Sequence, residues 1–254
     1  MCCFSRPVIS VSGTNIFARP DADGRQLLVY SMTIDAKEDL AMILPLPVKT
    51  PAGEKDVKFI DLKGYAEFFG DMEAGFHRPE KVTRGLHLTA APATSSQGIL
   101  EVVQVGSFEA SFVPTQKDFS RLDERFRLPP DAWKQLPQYE SYGFAVFKLK
   151  QGEMRVHPMA FSFPREQTRT LFFPTVHIHD GKVHKKADFD HALYCQPTHD
   201  ERPLTSGWEE SYTHPANFMQ MKKVKDVVLG NQHCYKKEMR GTLANKDTFL
   251  VVDA

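Results

Sequence analysis

Hydrophobic positions along this chain gather in short runs rich in β-branched and aromatic residues, the pattern typical of β-strands. Turn signals such as Asp23-Gly24 and Gln151-Gly152 separate the runs. The runs that predict strands are VISVSG, TNIFARP, RQLLVYSMTI, LAMILPLPV, VKFIDL, GILEVVQVGSFEASFV, YGFAVFKLK, MRVHPMAFSF, TLFFPTVHIH and TFLVVD. Strands therefore dominate the predicted structure.

Helical periodicity is confined to four short segments, at residues 62–72, 118–127, 130–136 and 215–223. These segments do not alternate regularly with the strands, so a parallel βαβ fold is not expected. We predict an α+β fold, predominantly antiparallel β-sheet with a few short helices, in a single domain spanning residues 1–254.

Composition narrows the function classes. The chain has 254 residues, 41% of them hydrophobic, and its 32 Lys and Arg residues balance 32 Asp and Glu residues. A nucleic-acid-binding protein normally carries a basic excess, so no nucleic-acid partner is expected. No apolar run reaches the ~18 residues of a membrane span, and the first residues lack the apolar segment of a signal peptide. The expected location is the cytoplasm.

Cysteine use agrees with that location. The four cysteines are Cys2, Cys3, Cys195 and Cys234, and no CxxC spacing occurs. Cytosolic thiols stay reduced, so we expect free thiols, metal ligands or a nucleophile rather than disulfides.

Residues 14–48 read TNIFARPDADGRQLLVYSMTIDAKEDLAMILPLPV. This stretch resembles an uncharacterised bacterial family known as domain of unknown function 2330, which has a cysteine-rich start and a stretch like DFAMVVPVP. Residues 142–176 resemble the same family more loosely, through YGFAVFKLK, HPMAFSF and TLFFPTV. Because the family has no established activity, the resemblance implies a lineage and no catalytic residues.

The beginning of the chain suggests a nucleophile. If Met1 is removed, Cys2 carries a thiol and an α-amino group that can accept its proton near neutral pH. The opening is similar to cysteine-type N-terminal nucleophile hydrolases, in which an Arg and an Asp follow on the next strand. That resemblance implies that Cys2 attacks an amide carbonyl, Asp21 orients the amine and Arg19 positions the substrate or oxyanion.

A second candidate site lies in a histidine-rich segment, since six of the ten histidines fall between residues 177 and 214. Asp180-Gly181 predicts a two-residue hairpin turn that pairs His177 with His184. Strand side chains alternate between faces, so His177, His179 and His184 would share one face and hold a metal, with zinc the expected ion. The further ligands that remain open are Asp188, Asp190, His191, Cys195 and His199. The alternative is a polar hairpin facing solvent.

Three functions from different classes therefore remain open. The first is a thiol-dependent amide hydrolase acting through Cys2, and the second is a metal-binding protein or metalloenzyme centred on the histidines. The third is a non-catalytic module that binds a small-molecule or peptide ligand. The sequence does not indicate an oligomeric state.

Overall fold

A computed structural model describes residues 2–78, 103–105, 108–128, 130–180, 182–197 and 207–252. Strands account for most of the regular structure in these ranges. They are β1 (Cys2–Phe4), β2 (Ser10–Asp21), β3 (Arg25–Ala36), β4 (Leu40–Leu46), β5 (Lys58–Asp61), β6 (Val103–Val105), β7 (Phe108–Val113), β8 (Gly143–Leu149), β9 (Gly152–Arg155), β10 (Met159–Pro164), β11 (Thr170–Phe173), β12 (His177–Ile178), β13 (Lys186–Cys195), β14 (Glu209–Glu210), β15 (Tyr235–Ala244) and β16 (Thr248–Val251).

Helices are few and short. The α-helices in the described residues are α1 (Phe68–Ala74) and α2 (Pro130–Lys134). Single turns of 3-10 helix occur at Ala22–Gly24, Lys63–Tyr65, Gln116–Arg121, Glu124–Phe126, Pro137–Tyr139 and Pro215–Asn217. None of the described helices has the length and apolar character that a membrane crossing requires.

The strands form two large sheets and one small one. Sheet I has the order β12-β1-β4-β8-β7-β6, and sheet II has the order β14-β15-β13-β2-β3-β10-β5, with β9 also paired to β3. β11 and β16 form a separate two-stranded sheet. Pairing is antiparallel except between β1 and β12 and between β13 and β2. The predicted α+β fold, with mostly antiparallel sheets and a few short helices, is confirmed.

The main hydrophobic core lies between sheets I and II. It includes Leu28 and Tyr30 of sheet II and Met42 and Phe147 of sheet I, all fully or almost fully buried. All seven residues of β4 are buried, because both faces of that strand are covered. This explains its continuous apolar sequence LAMILPL, which shows no polar alternation.

A second layer covers the outer face of each sheet. On sheet I, Phe144 contacts Phe119 and Trp133, with ring centroids 5.1 and 4.8 Å apart. On sheet II, Phe17 packs against Phe68 of α1 at 6.1 Å. The two sheets are therefore sandwiched between two layers of short helices and loops, and strands such as β3, β4, β8 and β10 have one face toward the central core.

The longest strands that the sequence analysis did not predict are β13 and β15. They pair with each other along ten residues, and β15 is the second strand from one edge of sheet II. Of the further ligands that the sequence left open, His191 and Cys195 lie in β13, while His199 is outside the described residues. The predicted helix at 215–223 is reduced to one 3-10 turn, Pro215–Asn217.

Candidate functional site

The residues predicted for amide hydrolysis are not brought together. Cys2 begins β1 in sheet I, whereas Arg19 and Asp21 lie near the end of β2 in sheet II. Ala18 faces the core between the sheets. Its neighbour Arg19 therefore points to the opposite face, away from sheet I.

Arg19 has a structural role in this position. Its guanidinium donates to the carbonyl oxygens of Val227 (2.7 Å), Asp226 (2.5 Å) and Pro20 (2.8 Å). Asp21 lies 3.9 Å from the same guanidinium. The guanidinium thus anchors the 226–227 loop. The structure does not place Arg19 and Asp21 beside Cys2, so the predicted spatial grouping of these residues is wrong.

The thiols other than Cys2 are sealed in the interior. Cys3, Cys195 and Cys234 are fully buried. Burial raises the pKa of the thiols of Cys195 and Cys234, which keeps them protonated and poorly nucleophilic. The side chain of Cys2 is outside the described part of the structure, so its role as a nucleophile stays a prediction.

The predicted histidine hairpin does not form. β12 pairs with β1 in parallel, with His177 beside Cys2 in the backbone register. No strand lies between residue 182 and the start of β13 in the described chain. His184 is mostly exposed and contacts Asp180 at 2.9 Å, apart from the buried His177. The hairpin failed as a prediction because the partner of β12 comes from the distant N-terminal strand.

Two of the predicted histidines, His177 and His179, instead meet His191. His177 and His191 face each other through their Nε2 atoms at 3.0 Å, and the His179 ring stacks on His177 with centroids 4.8 Å apart. Phe189 completes one side, 4.5 Å from the His177 ring. Within the described residues, the buried His179 Nε2 and His191 Nδ1 have no hydrogen-bond partner. We call His177, His179 and His191 the histidine cluster.

The histidine cluster is neutral. Burial lowers the pKa of His177 to about 2 and of His179 to about 4, and it also lowers the pKa of His191. In the neutral pair, one Nε2–H donates to the other Nε2. No three His, Cys, Asp or Glu residues in the described ranges are arranged to hold a metal ion. The predicted set of His177, His179 and His184 does not converge on a common point, so zinc binding stays a prediction without structural support.

A charged cleft opens on the outer face of sheet II and has a volume of about 270 Å³. Two short side chains form its floor, Ala192 of β13 and Asn15 of β2, which lie side by side in the sheet. The helix α1 forms one wall with Glu73. Arg155 of β9 and Arg240 of β15 line the cleft from different strands of the same sheet.

A hydrogen-bond network fixes the acidic groups of the cleft. Glu73 accepts from Lys236 Nζ at 2.7 Å and from Tyr194 Oη at 2.5 Å, one bond to each carboxylate oxygen. Lys236 Nζ also lies 3.0 Å from Glu238. Burial alone would lower the pKa of Lys236, but its bonds to Glu73 and Glu238 outweigh that effect and raise it. Lys236 is therefore a permanent cation between two carboxylates.

The two arginines of the cleft are held more loosely. Arg240 Nε lies 3.4 Å from Glu238, and the Arg240 side chain is 60% exposed. Arg155 lies 3.5 Å from Glu67, and both of these side chains are more than half exposed. Exposed ion pairs of this kind contribute little energy. Both guanidinium groups therefore keep donors that can turn toward a ligand.

No pattern in the sequence points directly to the charged cleft. Tyr194 and Lys236 lie 121 and 163 residues after Glu73, and β14 separates them from each other, so no motif connects the three. The alternation in YKKEMRGTLA could have indicated a strand with Lys236, Glu238 and Arg240 on one face. Its position beside β13 could not have been read from sequence.

No family model matches the chain. A crystal structure of baculovirus P35 aligns over 96% of this chain and 97% of that chain, at 12% identity and a TM-score of 0.48. A structure of the caspase-8/P35 complex aligns over 95% of this chain and 96% of that chain, at 11% identity and a TM-score of 0.47. A likeness at this level says nothing about function. The sequence resemblances to domain of unknown function 2330 and to N-terminal nucleophile hydrolases stay predictions.

Proposed function

We propose that this protein is a non-catalytic module that binds a small anionic ligand, with a carboxylate or phosphate group, in the charged cleft. The observation that carries the proposal is the pair Arg155 and Arg240, which line the cleft from different strands with unused N–H donors. Guanidinium groups match carboxylate and phosphate oxygens in geometry as well as charge.

The acidic residues of the cleft do not oppose an anion strongly, because they are already neutralised. Both oxygens of Glu73 accept hydrogen bonds, and Glu238 contacts both Lys236 and Arg240. Three cations and two carboxylates line the cleft, and a third carboxylate, Glu67, pairs with the exposed Arg155 beside it. An entering anion therefore meets donors that are free and acceptors that are occupied.

The size of the cleft limits the ligand. About 270 Å³ is near the lower end of small-molecule sites, so a metabolite fits and a folded partner does not. The side-chain amide of Asn15 and the ammonium group of Lys236 offer further donors that can orient the ligand. We expect a compact ligand with one anionic group held between the two arginines.

Isothermal titration with citrate and, separately, with inorganic phosphate tests the proposal and distinguishes the two anion types. We expect one saturable site for at least one probe. Arg155→Gln and Arg240→Gln should each weaken binding by about tenfold, since one charge-assisted hydrogen bond contributes about 1.4 kcal/mol or more.

Arg125→Gln is the matched control. Arg125 is equally exposed and also paired with a carboxylate, Asp123, but it lies on a 3-10 turn outside the cleft. Its replacement should leave affinity unchanged. Absence of binding by both probes at millimolar concentration, or equal affinity in all three variants and the wild type, would contradict the proposal.

A further inference from the structure

The small sheet of β11 and β16 has two edges, and the backbone register shows which groups face outward. The N–H of Val252 donates to the carbonyl of Arg169 at 2.9 Å, which defines a hydrogen-bonded pair at that position. Pairs alternate along an antiparallel ladder, so Leu250 also points its N–H and C=O toward β11. Phe249 and Val251 point theirs away from β11.

The β11 edge is closed by groups from within the chain. Gln26 donates through Nε2 to the carbonyl of Phe172 at 2.7 Å and accepts from its N–H at 3.0 Å. The N–H of Thr170 donates to Gln167, and its carbonyl accepts from Arg165. Gln26 thus takes the place of a further strand.

The β16 edge is open in the part of the chain that the structure describes. No described group bonds to the outward N–H and C=O groups of Phe249 and Val251. Their side chains are also large, apolar and exposed, at 45% for Phe249 and 57% for Val251. Edge strands usually carry charges, proline or a bulge that prevent pairing with another chain. The sequence TFLV of β16 has none of these.

We propose that β16 pairs with β16 of a second copy of this chain, antiparallel and about a two-fold axis through Leu250. In this register, Phe249 faces Val251 of the partner subunit, and Val251 faces Phe249 of the partner subunit. Each pair exchanges both of its backbone hydrogen bonds, so every outward group of the edge is satisfied. The product is a continuous sheet in the order β11-β16-β16-β11.

A second copy fits this edge because the edge is complementary to itself. The two residues with outward backbone groups lie symmetrically on either side of Leu250, as a two-fold axis requires. The same operation sets an aromatic side chain against a β-branched one in both pairs, a favourable cross-strand combination. The interaction is independent of the charged cleft, which lies on the outer face of sheet II.

Light scattering on size-exclusion fractions, across a range of protein concentrations, tests the dimer. The wild-type chain should reach twice its mass of 28.8 kDa. Val251→Pro should shift the mass to that of one chain, because it removes an outward N–H while leaving the bonds to β11 in place. Val251→Thr, which keeps the N–H and the β-branched shape, is the matched control and should remain a dimer.

The double variant F249K/V251K is a second, independent test of the dimer. Its two lysines replace exposed side chains, so the fold is retained, and circular dichroism verifies this for every variant. We expect the double variant to have the mass of one chain. A wild-type chain that stays at 28.8 kDa up to millimolar concentration overturns the proposal. So does a folded F249K/V251K or Val251→Pro variant that remains a dimer.

Discussion

The histidine cluster and the charged cleft meet at one strand, β13, on its opposite faces. His191 points into the space between the sheets and is fully buried, whereas the next residue, Ala192, forms the floor of the cleft. On the inner face the three histidines are neutral, the described residues offer His179 Nε2 no hydrogen bond, and His191 Nδ1 lies 3.7 Å from Asp190 Oδ1. On the outer face the groups are charged and paired. Adjacent residues of β13 therefore face different surroundings. We call the buried, uncharged histidine cluster the dry site and the solvent-exposed charged cleft the wet site.

The difference is the reason why we place the proposed ligand in the cleft rather than at the histidines. A charge buried without water or a partner costs several kcal/mol, so the histidines remain uncharged. Around the cleft, Lys236 neutralises Glu73 and Glu238 while water reaches the exposed arginines. The dry site contributes to packing and pH sensitivity, and the wet site retains donors for a ligand.

The largest expected effect concerns the buried face of β13, where the core should protect the Cys195 thiol from alkylation. This thiol lies four residues from His191 on the same face of β13 and is fully buried. Iodoacetamide should alkylate it at least about a thousandfold more slowly in the folded protein than in urea, because reaction requires opening of the core. Mass spectrometry of timed samples measures the rates.

The same labelling experiment provides its own control and a second result. Cys234 is equally buried in the outer layer and should be protected to a similar extent. Similar alkylation rates for Cys195 in folded and unfolded protein would show that the space near His191 is open to water. A rapid adduct at Cys2 would instead support the N-terminal nucleophile.

Acid should destabilise the fold through the histidine cluster. The pKa of each of these histidines is lower in the folded chain than the ordinary 6.5, so the unfolded chain binds more protons as the pH falls below that value. Stability is therefore complete above pH ~6.5. It declines toward pH 5 by about 2 kcal/mol for each histidine that stays neutral when folded.

Urea unfolding at pH 7 and pH 5 measures this loss, and His177 and His179, with pKa values of about 2 and about 4, together predict about 4 kcal/mol. Burial raises the pKa of Asp247, which acts in the opposite sense and reduces the net loss. His184→Gln, which changes an exposed histidine outside the cluster, should leave the pH dependence intact. Equal stability at the two pH values would contradict the neutral, dry cluster.

Removal of the central cation should disturb the wet site less. Lys236→Met leaves Glu73 and Glu238 without the ammonium between them, and we expect a loss of about 2 kcal/mol in the free energy of unfolding. The carboxylates are partly exposed, so water limits the cost. Lys222→Met, at an exposed lysine away from the cleft, should change stability by less than about 0.5 kcal/mol. Equal denaturation midpoints for the two variants would show that the network does not hold the cleft.

The smallest expected stability effect is that of Tyr194→Phe. The substitution removes only the hydroxyl that donates to Glu73, and one such hydrogen bond contributes about 1 kcal/mol. Thermal unfolding measures it, with Tyr212→Phe at an exposed tyrosine as the control. A Tyr194→Phe protein as stable as the control variant would mean that Glu73 is held by Lys236 alone.

The sequence analysis predicted many individual strands, but it did not predict which distant parts of the chain lie side by side. Strands such as β3, β4 and β8 were predicted because their apolar runs identify buried strands directly. β15 was missed because its outer face carries Lys236, Glu238 and Arg240, charges that resemble a solvent-exposed loop. Runs of apolar residues therefore identified the core strands, but they did not identify a strand such as β15 that borders a polar site.

The structure brings together two of the three histidines that were predicted to share a site, His177 and His179, and leaves His184 apart. Histidine density located His177 and His179, but the third member, His191, joins them across the two sheets. The local turn at residue 180 suggested His184 as their neighbour, whereas β12 pairs with the N-terminal strand more than 170 positions away. Long-range pairing of this kind leaves no spacing pattern in a single sequence. The cleft was even harder to predict from the sequence, because its residues come from five separate elements, β2, α1, β9, β13 and β15.

The most direct test of the central proposal is an amide NMR titration of the folded protein with citrate and with inorganic phosphate. The proposal predicts saturable shifts confined to the cleft, at residues such as Asn15, Gly70, Ala192 and Glu238, and their loss in the R155Q/R240Q double variant. Shifts that are absent for both anions, or that occur at residues far from the cleft, would contradict it.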